Sequence, residues 1–368
     1  MTYIHERPDW PDFSWNMERL AGLLASVRHR QGLLLGRMSA LGFPVRAEAG
    51  LAILTLDVVK SSAIEGEMLD TAQVRSSLAR RLGIDIGGLA PANRHVEGIV
   101  EMMLDATQRY AEDLSAERLC GWHAALFPMG YGGMRRITVG AWRTAEAGPM
   151  QVVSGYVGRE KIHFEAPEAQ RLPKEMHAFL EWFNAPHKLD PVLKAGVAHF
   201  WFVTIHPFED GNGRIARAIA DCALARADNS PQRFYSMSGR IEQERKDYYE
   251  ILERTQKGGL DITAWLEWFL HCLGRAIDSS EELLFSVFRK SDVWRRANQH
   301  SLNERQRKIV NRLLDDFSGK LTSGKYAKLA KCSTDTALRD IRELMEYGIL
   351  RQSKAKGRST SYEIADPG

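Results

Sequence analysis

His206-Pro207-Phe208-Glu209-Asp210-Gly211-Asn212-Gly213-Arg214-Ile215-Ala216-Arg217 gathers a base, two acids, two glycines and two guanidiniums into twelve positions. Gly211 and Gly213 can take positive φ and carry no Cβ, so successive backbone N–H groups can turn onto an anion. From Arg214 the chain runs into an apolar-periodic helix through Ile215, Ala218, Ile219, Cys222 and Ala225. The N-terminal turn of that helix adds unpaired N–H groups and its dipole on the same side. Arg214 and Arg217 are three apart, hence on one face, where both can fork onto phosphate oxygens. Asp210 offers the hard oxygen that Mg2+ on a polyphosphate takes, and His206 is the one group here that titrates near neutrality. Singly, each of these features is an ordinary turn, a solvated helix face or a structural histidine. Their ordered coincidence is what points to a phosphate-handling site.

The stretch resembles the signature of the Fic family: His-Pro-Phe, any residue, an acid, Gly-Asn-Gly-Arg, two residues, Arg, with no departure anywhere. The resemblance implies transfer of AMP from Mg-ATP to a Ser, Thr or Tyr hydroxyl of a protein. Carried over by position, it makes His206 the base that deprotonates the acceptor hydroxyl, Asp210 the Mg2+ ligand and Phe208 the anchor of the loop in the core. Gly211, Asn212 and Gly213 would cradle the α and β phosphates, with Arg214 near the β and Arg217 near the γ phosphate. In-line attack at an α phosphorus asks for positioning and charge neutralisation more than covalent help, which these residue types supply.

Upstream, Ser61-Ser62-Ala63-Ile64-Glu65-Gly66 resembles the inhibitory pattern of the same family, in the class whose inhibitory helix lies N-terminal to the catalytic run. The likeness implies that Ser61 and Glu65 restrain the site. A carboxylate forming a bidentate pair with Arg217 would occupy the guanidinium meant for the γ phosphate. ATP would then bind misaligned, and a small misplacement costs roughly a hundredfold in rate. By itself, the same run is the polar end of a helix over Leu51 to Ser62, stopped by Gly66.

At 368 residues and 44% apolar, the chain can bury two or three cores. Its four cysteines (Cys120, Cys222, Cys272, Cys332) lack paired spacing, which argues against a disulfide framework or zinc site. No run of 18 apolar residues occurs and the first residues are polar, so the expectation is a cytoplasmic protein with no membrane partner. Charge is unevenly divided. Residues 289–368 hold 18 Lys/Arg against 10 Asp/Glu, whereas residues 1–288 hold 32 against 37. A basic block beside an acidic body suggests a separate module with a polyanionic partner.

The expected fold is mainly α in three parts: an N-terminal helical domain over 1–112, a helical Fic core over 113–280 and a winged helix-turn-helix domain over 281–368. Trp15 to Ala111 shows helical periodicity broken at Leu41–Pro44 and Gly83–Pro91. The opening Arg7-Pro8-Asp9-Trp10-Pro11-Asp12-Phe13 resembles the start of an uncharacterised domain that often precedes Fic cores. Val192 to Ile205 is too apolar for anything but a buried helix ending at the catalytic loop. Ile137–Val139, Gln151–Val153 and Lys161–Phe164 read as short extended pieces, the last two flanking Gly155–Gly158. In the family a hairpin here, the flap, holds an extended segment of the target protein by strand addition; otherwise it is a surface hairpin capping the core. Tyr248 and Tyr249 resemble aromatic residues near the nucleotide base in relatives, although an aromatic at helical spacing is more often core. Ser279–Glu282 and Asn298–Asn303 are the candidate domain boundaries.

In the C-terminal block, Gln306–Leu314, Lys325–Lys331 and the apolar face Ala337, Leu338, Ile341, Leu344, Met345 read as three helices, the last stopping at Gly348. Ile349-Leu350 and Ser361–Ile364 read as strands around a basic turn, and the whole resembles a winged helix. On that likeness Ser333, Thr334, Thr336 and Arg339 would begin a recognition helix for duplex DNA, with Lys354, Lys356 and Arg358 over phosphates. Winged helices also dock proteins or dimerise, so a protein partner and a homodimer stay open. Two functions follow: an autoinhibited protein adenylyltransferase, or a DNA-binding regulator with a nucleotide-sensing Fic domain. A Fic enzyme that removes AMP or transfers another group is a variant of the first.

Overall fold

The computed structural model describes residues 2–86, 90–154, 161–186, 188–314, 317, 319–353 and 360–365. Gly155–Gly158 and the three basic residues Lys354, Lys356 and Arg358 lie outside the described residues. The chain divides into two compact units, Met1–Glu281 and Glu282–Gly368.

The first unit begins with α1 (Met17–Ser39), α2 (Phe43–Ile64), α3 (Thr71–Leu82), α4 (Arg94–Gln108) and α5 (Ala116–Leu126). Caps explain these boundaries. The side chains of Asn16, Asp70, Asn93 and Ser115 accept from the first-turn N–H groups of α1, α3, α4 and α5, and Gly83 ends α3 in the left-handed region. Pro44, expected in a loop, instead occupies the first turn of α2, where its fixed φ suits a helix and its missing N–H costs nothing.

Two small antiparallel ribbons follow: β1 (Tyr131–Gly132) with β2 (Arg135–Arg136), and β3 (Gln151–Ser154) with β4 (Lys161–Glu165). The second matches the expected hairpin, with a bulge between Val152 and Val153. Ile137–Val139, expected as a short extended piece, lies outside the assigned strands, although Ile137 N still donates to Gly130 O at 3.1 Å just past the end of the first ribbon.

Next come α6 (Leu172–Asn184), α7 (Pro191–Ile205), α8 (Asn212–Asp228), α9 (Met237–Gln243), α10 (Arg245–Gln256) and α11 (Thr263–Ala297). From Val192 to Ile205 every residue of α7 except Lys194 is buried, as its apolar run requires, and α8 packs along it. Residues 1–112 do not stand apart. Helix α2 packs on α9, α4 packs on α5 and α8, and Phe13 packs edge-on to Phe200 and Trp201 of α7. The expected boundary near residue 112 is therefore an interior seam. The reason is that α2 is apolar nearly all round and must be covered by neighbours on every side.

Ser279–Glu282, expected as a boundary, holds the division between the two units at Glu281 and Glu282, but no loop marks it: α11 runs through, and the Ser280 hydroxyl bonds back to the Ala276 carbonyl at 2.8 Å. The helical run itself breaks at Asn298–Asn303. In the second unit α12 (Glu304–Leu314), α13 (Ser323–Ala330) and α14 (Thr334–Glu346) pack with the antiparallel β5 (Leu350–Gln352) and β6 (Tyr362–Ile364). Leu321 bridges to Tyr362 as a third extended contact. The core is Ile309, Val310, Tyr326, Ala337, Ile341, Leu344, Leu350 and Ile364. Buried Asp340 ties it together, accepting from the Arg305 guanidinium at 2.9 Å and from the Tyr326 hydroxyl at 3.2 Å.

Candidate active site

The end of α7 sets the first group. His206 caps that helix in the left-handed region, φ 53°, a conformation uncommon for a side-chain-bearing residue and tolerated where the surroundings fix it. Arg143 supplies much of the fixing. Buried, it donates Nε to the His206 carbonyl at 2.8 Å and Nη2 to the Pro167 carbonyl at 2.5 Å, while its backbone N–H donates to Pro207 O at 2.9 Å. Nothing in the sequence marked this arginine. Burial brings its pKa down to about 10.

The His206 ring donates Nδ1–H to the Val203 carbonyl at 3.1 Å, which leaves Nε2 as the acceptor. Burial lowers the imidazole to about pKa 4, against the upward pull of the Val203 carbonyl, so the ring is neutral at physiological pH. A neutral imidazole with a fixed tautomer and a free Nε2 is a proton acceptor.

The loop beyond it is tied down by packing and hydrogen bonds. Phe208 is fully buried and stacks on His123 with ring centres 4.1 Å apart. Asn212 uses both ends of its amide on one residue: Oδ1 accepts from Phe208 N at 3.0 Å and Nδ2 donates to Phe208 O at 2.8 Å. Its side chain therefore closes the loop, and only its backbone can face a phosphate. Asp210 accepts from Gly211 N at 2.6 Å through Oδ1, and its Oδ2 lies where a Cβ on Gly132 would collide.

The two glycines matter for different reasons. Gly211 sits at φ +79° as the N-cap of α8, as expected, whereas Gly213 is helical and serves by leaving room. An ideal Cβ on Gly213 would lie 2.2 Å from Glu65 Oε1 and 3.3 Å from Arg217 Nη1. The space over the first turn of α8 is thus filled by an acid from α2.

That acid arrives through a helix stop. Helix α2 ends at Ile64 with Glu65 as cap; Gly66 at φ +86° donates to Ala63 O and Glu67 N donates to Ser62 O, each at 3.0 Å, the double closure of a Schellman motif. Glu65 Oε1 accepts from Arg217 Nη2 at 2.7 Å. The pair is single-point, not the bidentate fork expected from sequence. Ser61, one turn back, takes the other donors: Arg217 Nε gives to its hydroxyl and Nη2 to its carbonyl, both at 2.9 Å. Both signature arginines are buried, and each keeps a buried nitrogen with no partner among the described residues, Arg214 Nε and Arg217 Nη1. Unpaired guanidinium nitrogens beside the first, unbonded N–H groups of a helix are a cradle for an anion.

Arg214 has its own acid. Its Nη1 donates to Glu67 Oε2 at 2.7 Å, its guanidinium lies 5.0 Å from the centre of the Phe127 ring, and the same Glu67 oxygen meets His95 Nε2 at 3.2 Å. The His95 hydrogen bond, then Arg214, hold the Glu67 carboxyl below its usual range. The one mark of Glu67 in the sequence is that it is an acid just past Gly66, the glycine that stops α2.

Tyr248 is not on the site's surface. It is 1% exposed, its hydroxyl lies 2.9 Å from His199 Nε2, and it packs among Trp265, Trp268 and Tyr249. The nucleotide-contact role expected of it gives way to a core role, because a helix with Ile251, Leu252 and Thr255 on its buried face carries Tyr248 inward and leaves Tyr249 38% exposed. In the hairpin, His163 joins Ser154 Oγ through Nε2 and Glu253 through Nδ1, each at 2.6 Å, which ties β3 and β4 to α10.

Residues 113–224 match the Fic/DOC family, and residues 3–84 match a domain of unknown function, DUF4172. A protein adenylyltransferase Fic of Nematostella vectensis is 27% identical over 234 residues, covering 60% of this chain and 47% of the relative. The Drosophila melanogaster protein of the same name is 28% identical over 232 residues, covering 60% and 41%. The chain spans less than half the length of these curated relatives. A Fic family protein from Desulfovibrio desulfuricans shares the fold with TM-score 0.54 and 19% identity, over 97% of this chain and 99% of that one. A Fic domain containing signaling protein from Bacteroides thetaiotaomicron gives 0.52 and 19%, over 70% and 96%.

Proposed function

We propose that this chain, which carries a Fic/DOC domain over residues 113–224, is a protein adenylyltransferase held inactive by its own Glu65. The observation that carries the reading is the cradle itself: neutral His206 beside two buried, incompletely partnered arginines at the start of α8, with a carboxylate lodged in the space. The name protein adenylyltransferase borne by the relatives supports the same reaction class.

ATP is the substrate. Its phosphates would lie along the first turn of α8, with the backbone N–H groups of Gly213 and Arg214 and the guanidiniums of Arg214 and Arg217 neutralising them. Asp210 fits Mg2+, which takes one or two protein carboxylates together with phosphate oxygens and water; the ion would spread the charge of the leaving pyrophosphate. His206 Nε2 accepts the proton of a target Ser, Thr or Tyr hydroxyl. The hydroxyl oxygen then forms a bond to the α phosphorus while the α–β phosphoanhydride bond breaks, and pyrophosphate leaves. The target segment would pair with the hairpin of β3 and β4, whose Val153 and Ile162 are exposed.

Glu65 acts by substitution: it holds the Arg217 nitrogen that the γ phosphate needs, so ATP settles with its α phosphorus out of line. Parent, Glu65→Gly and His206→Ala proteins incubated with α-labelled ATP in lysate test this. Label transferred strongly by Glu65→Gly, weakly by the parent and not by His206→Ala is expected; equal labelling by all three overturns it. Intact mass of the labelled target separates AMP from any other transferred group.

A second reading is favoured by the second unit, where α13 and α14 follow one another with a short turn and Ser333 caps α14, its hydroxyl accepting from Thr336 N at 3.2 Å. Thr334, Thr336 and Arg339 then fall in the first turns of a helix fit to enter a major groove, which would make the chain a DNA-binding regulator with a nucleotide-responsive domain. A gel shift on duplex DNA that weakens with salt is the expected outcome; no shift at low salt removes this reading.

A further inference from the structure

We propose that Glu67 is a second restraining carboxylate, acting on Arg214 as Glu65 acts on Arg217, so that one helix end closes two successive phosphate positions. This rests on the nucleotide reading above. Four observations carry it. Both acids leave the same Schellman cap, one on each side of Gly66, so the turn that sends Glu65 to Arg217 sends Glu67 to Arg214. Arg214 is buried and, among the described residues, makes its one side-chain bond to Glu67, while its Nε has no partner. Glu67 is half-exposed, so the burial cost of the pair falls on the arginine, which gains by exchanging Glu67 for a more highly charged anion. Finally, His95 lies 3.2 Å from the same Glu67 oxygen and is a ready partner for the carboxylate once Arg214 turns to a phosphate.

The two locks divide the nucleotide between them. Arg217 is assigned to the γ phosphate, so Glu65 weighs most on triphosphates. Arg214 is assigned to the β phosphate, so Glu67 weighs on diphosphates and triphosphates alike and leaves monophosphates untouched. Glu67 is thus a positioning residue that sets which phosphate chains the site holds, and it acts through Arg214.

Calorimetric titration of the full chain with ATP, ADP and AMP in Mg2+ reads this directly. For Glu67→Gln, which keeps size and removes charge, ADP and ATP are expected to bind about tenfold tighter than to the parent, the lower end for releasing a charge-assisted bond. AMP affinity should not change. Glu65→Gly should gain for ATP over ADP. His95→Gln, which leaves Glu67 to Arg214 alone, should weaken ADP binding and keep the melting temperature of the parent. Unchanged or weaker ADP binding by Glu67→Gln, with Glu65→Gly still gaining ATP, overturns the second lock and leaves the proposed function standing. Failure of all variants to bind any nucleotide overturns the proposed function instead.

Discussion

Glu65 Oε1 rests 2.7 Å from Arg217 Nη2 in the space over Gly213 where a methyl group would stand. Two elements far apart in sequence are joined through the missing Cβ, so the Glu65–Arg217 contact depends on a glycine at 213. Gly213→Ala would ordinarily stabilise a helix by about 0.5–1 kcal/mol. Here its Cβ meets the Glu65 carboxylate, so a net loss is expected in the parent and recovery of the helix gain in Glu65→Gly. Urea midpoints of the four proteins of that cycle check the coupling; additive midpoints would show that the two residues do not share space.

On the proposed function, removing the acid is expected to trade stability for activity. Glu65→Gly should raise AMP transfer by roughly a hundredfold, the scale set by misalignment of the reacting atoms. It should also lower the melting temperature, because Arg217 keeps its bonds to Ser61 but loses its counter-charge. Initial rates and thermal scans on the same preparations measure both.

His206 is neutral in the folded protein down to about pH 4, its pKa depressed by burial. The acid limb of kcat/KM for Glu65→Gly should therefore fall below pH 5 and show no inflection near 6.5. Loss of the Glu65 charge, which pulls the imidazole upward, moves the limb lower still. A rate profile with an apparent pKa near 6.5 would contradict a desolvated base.

Acid should also unfold the first unit. His123 and His199 are buried, with pKa values lowered from 6.5 to about 4 and about 3 by desolvation. Between 6.5 and those values the unfolded chain binds more protons than the folded one. Stability is thus full above 6.5 and declines as pH falls, by about 1.4 kcal/mol per pH unit for each ring. Replacing His123 by Gln should flatten that decline in urea titrations between pH 6.5 and 4.

Arg143 holds the loop by its carbonyls. Arg143→Met strips the bond to His206 O and the bond to Pro167 O and should cost about 2–4 kcal/mol, with a fall in kcat larger than any change in ATP affinity, because it frees the base and not the phosphate cradle. Equilibrium unfolding and nucleotide titration separate the two effects.

The sequence by itself determined the elements that carry the loop and the residue types that it presents. The apolar run of α7 can only be a buried helix, and the order of His206, Asp210, the glycines and the arginines fixes what can face an anion. The stop at Gly66 was legible for the same reason: helix periodicity and a left-handed glycine are local properties, set by neighbours a turn away. Tertiary structure alone decided the partners. That Ser61 shares Arg217 with Glu65, that Glu67 holds Arg214, that Arg143 clamps His206, and that Tyr248 turns into the core all depend on which helix faces which across the fold. The pairings of the two arginines of α8 and of Arg143 join residues 63 to 156 positions apart, and the 1–112 segment packs with the core because its apolar helix α2 needs cover on every side. Local pattern fixes what a segment is; only burial against distant neighbours fixes what each of its charges meets.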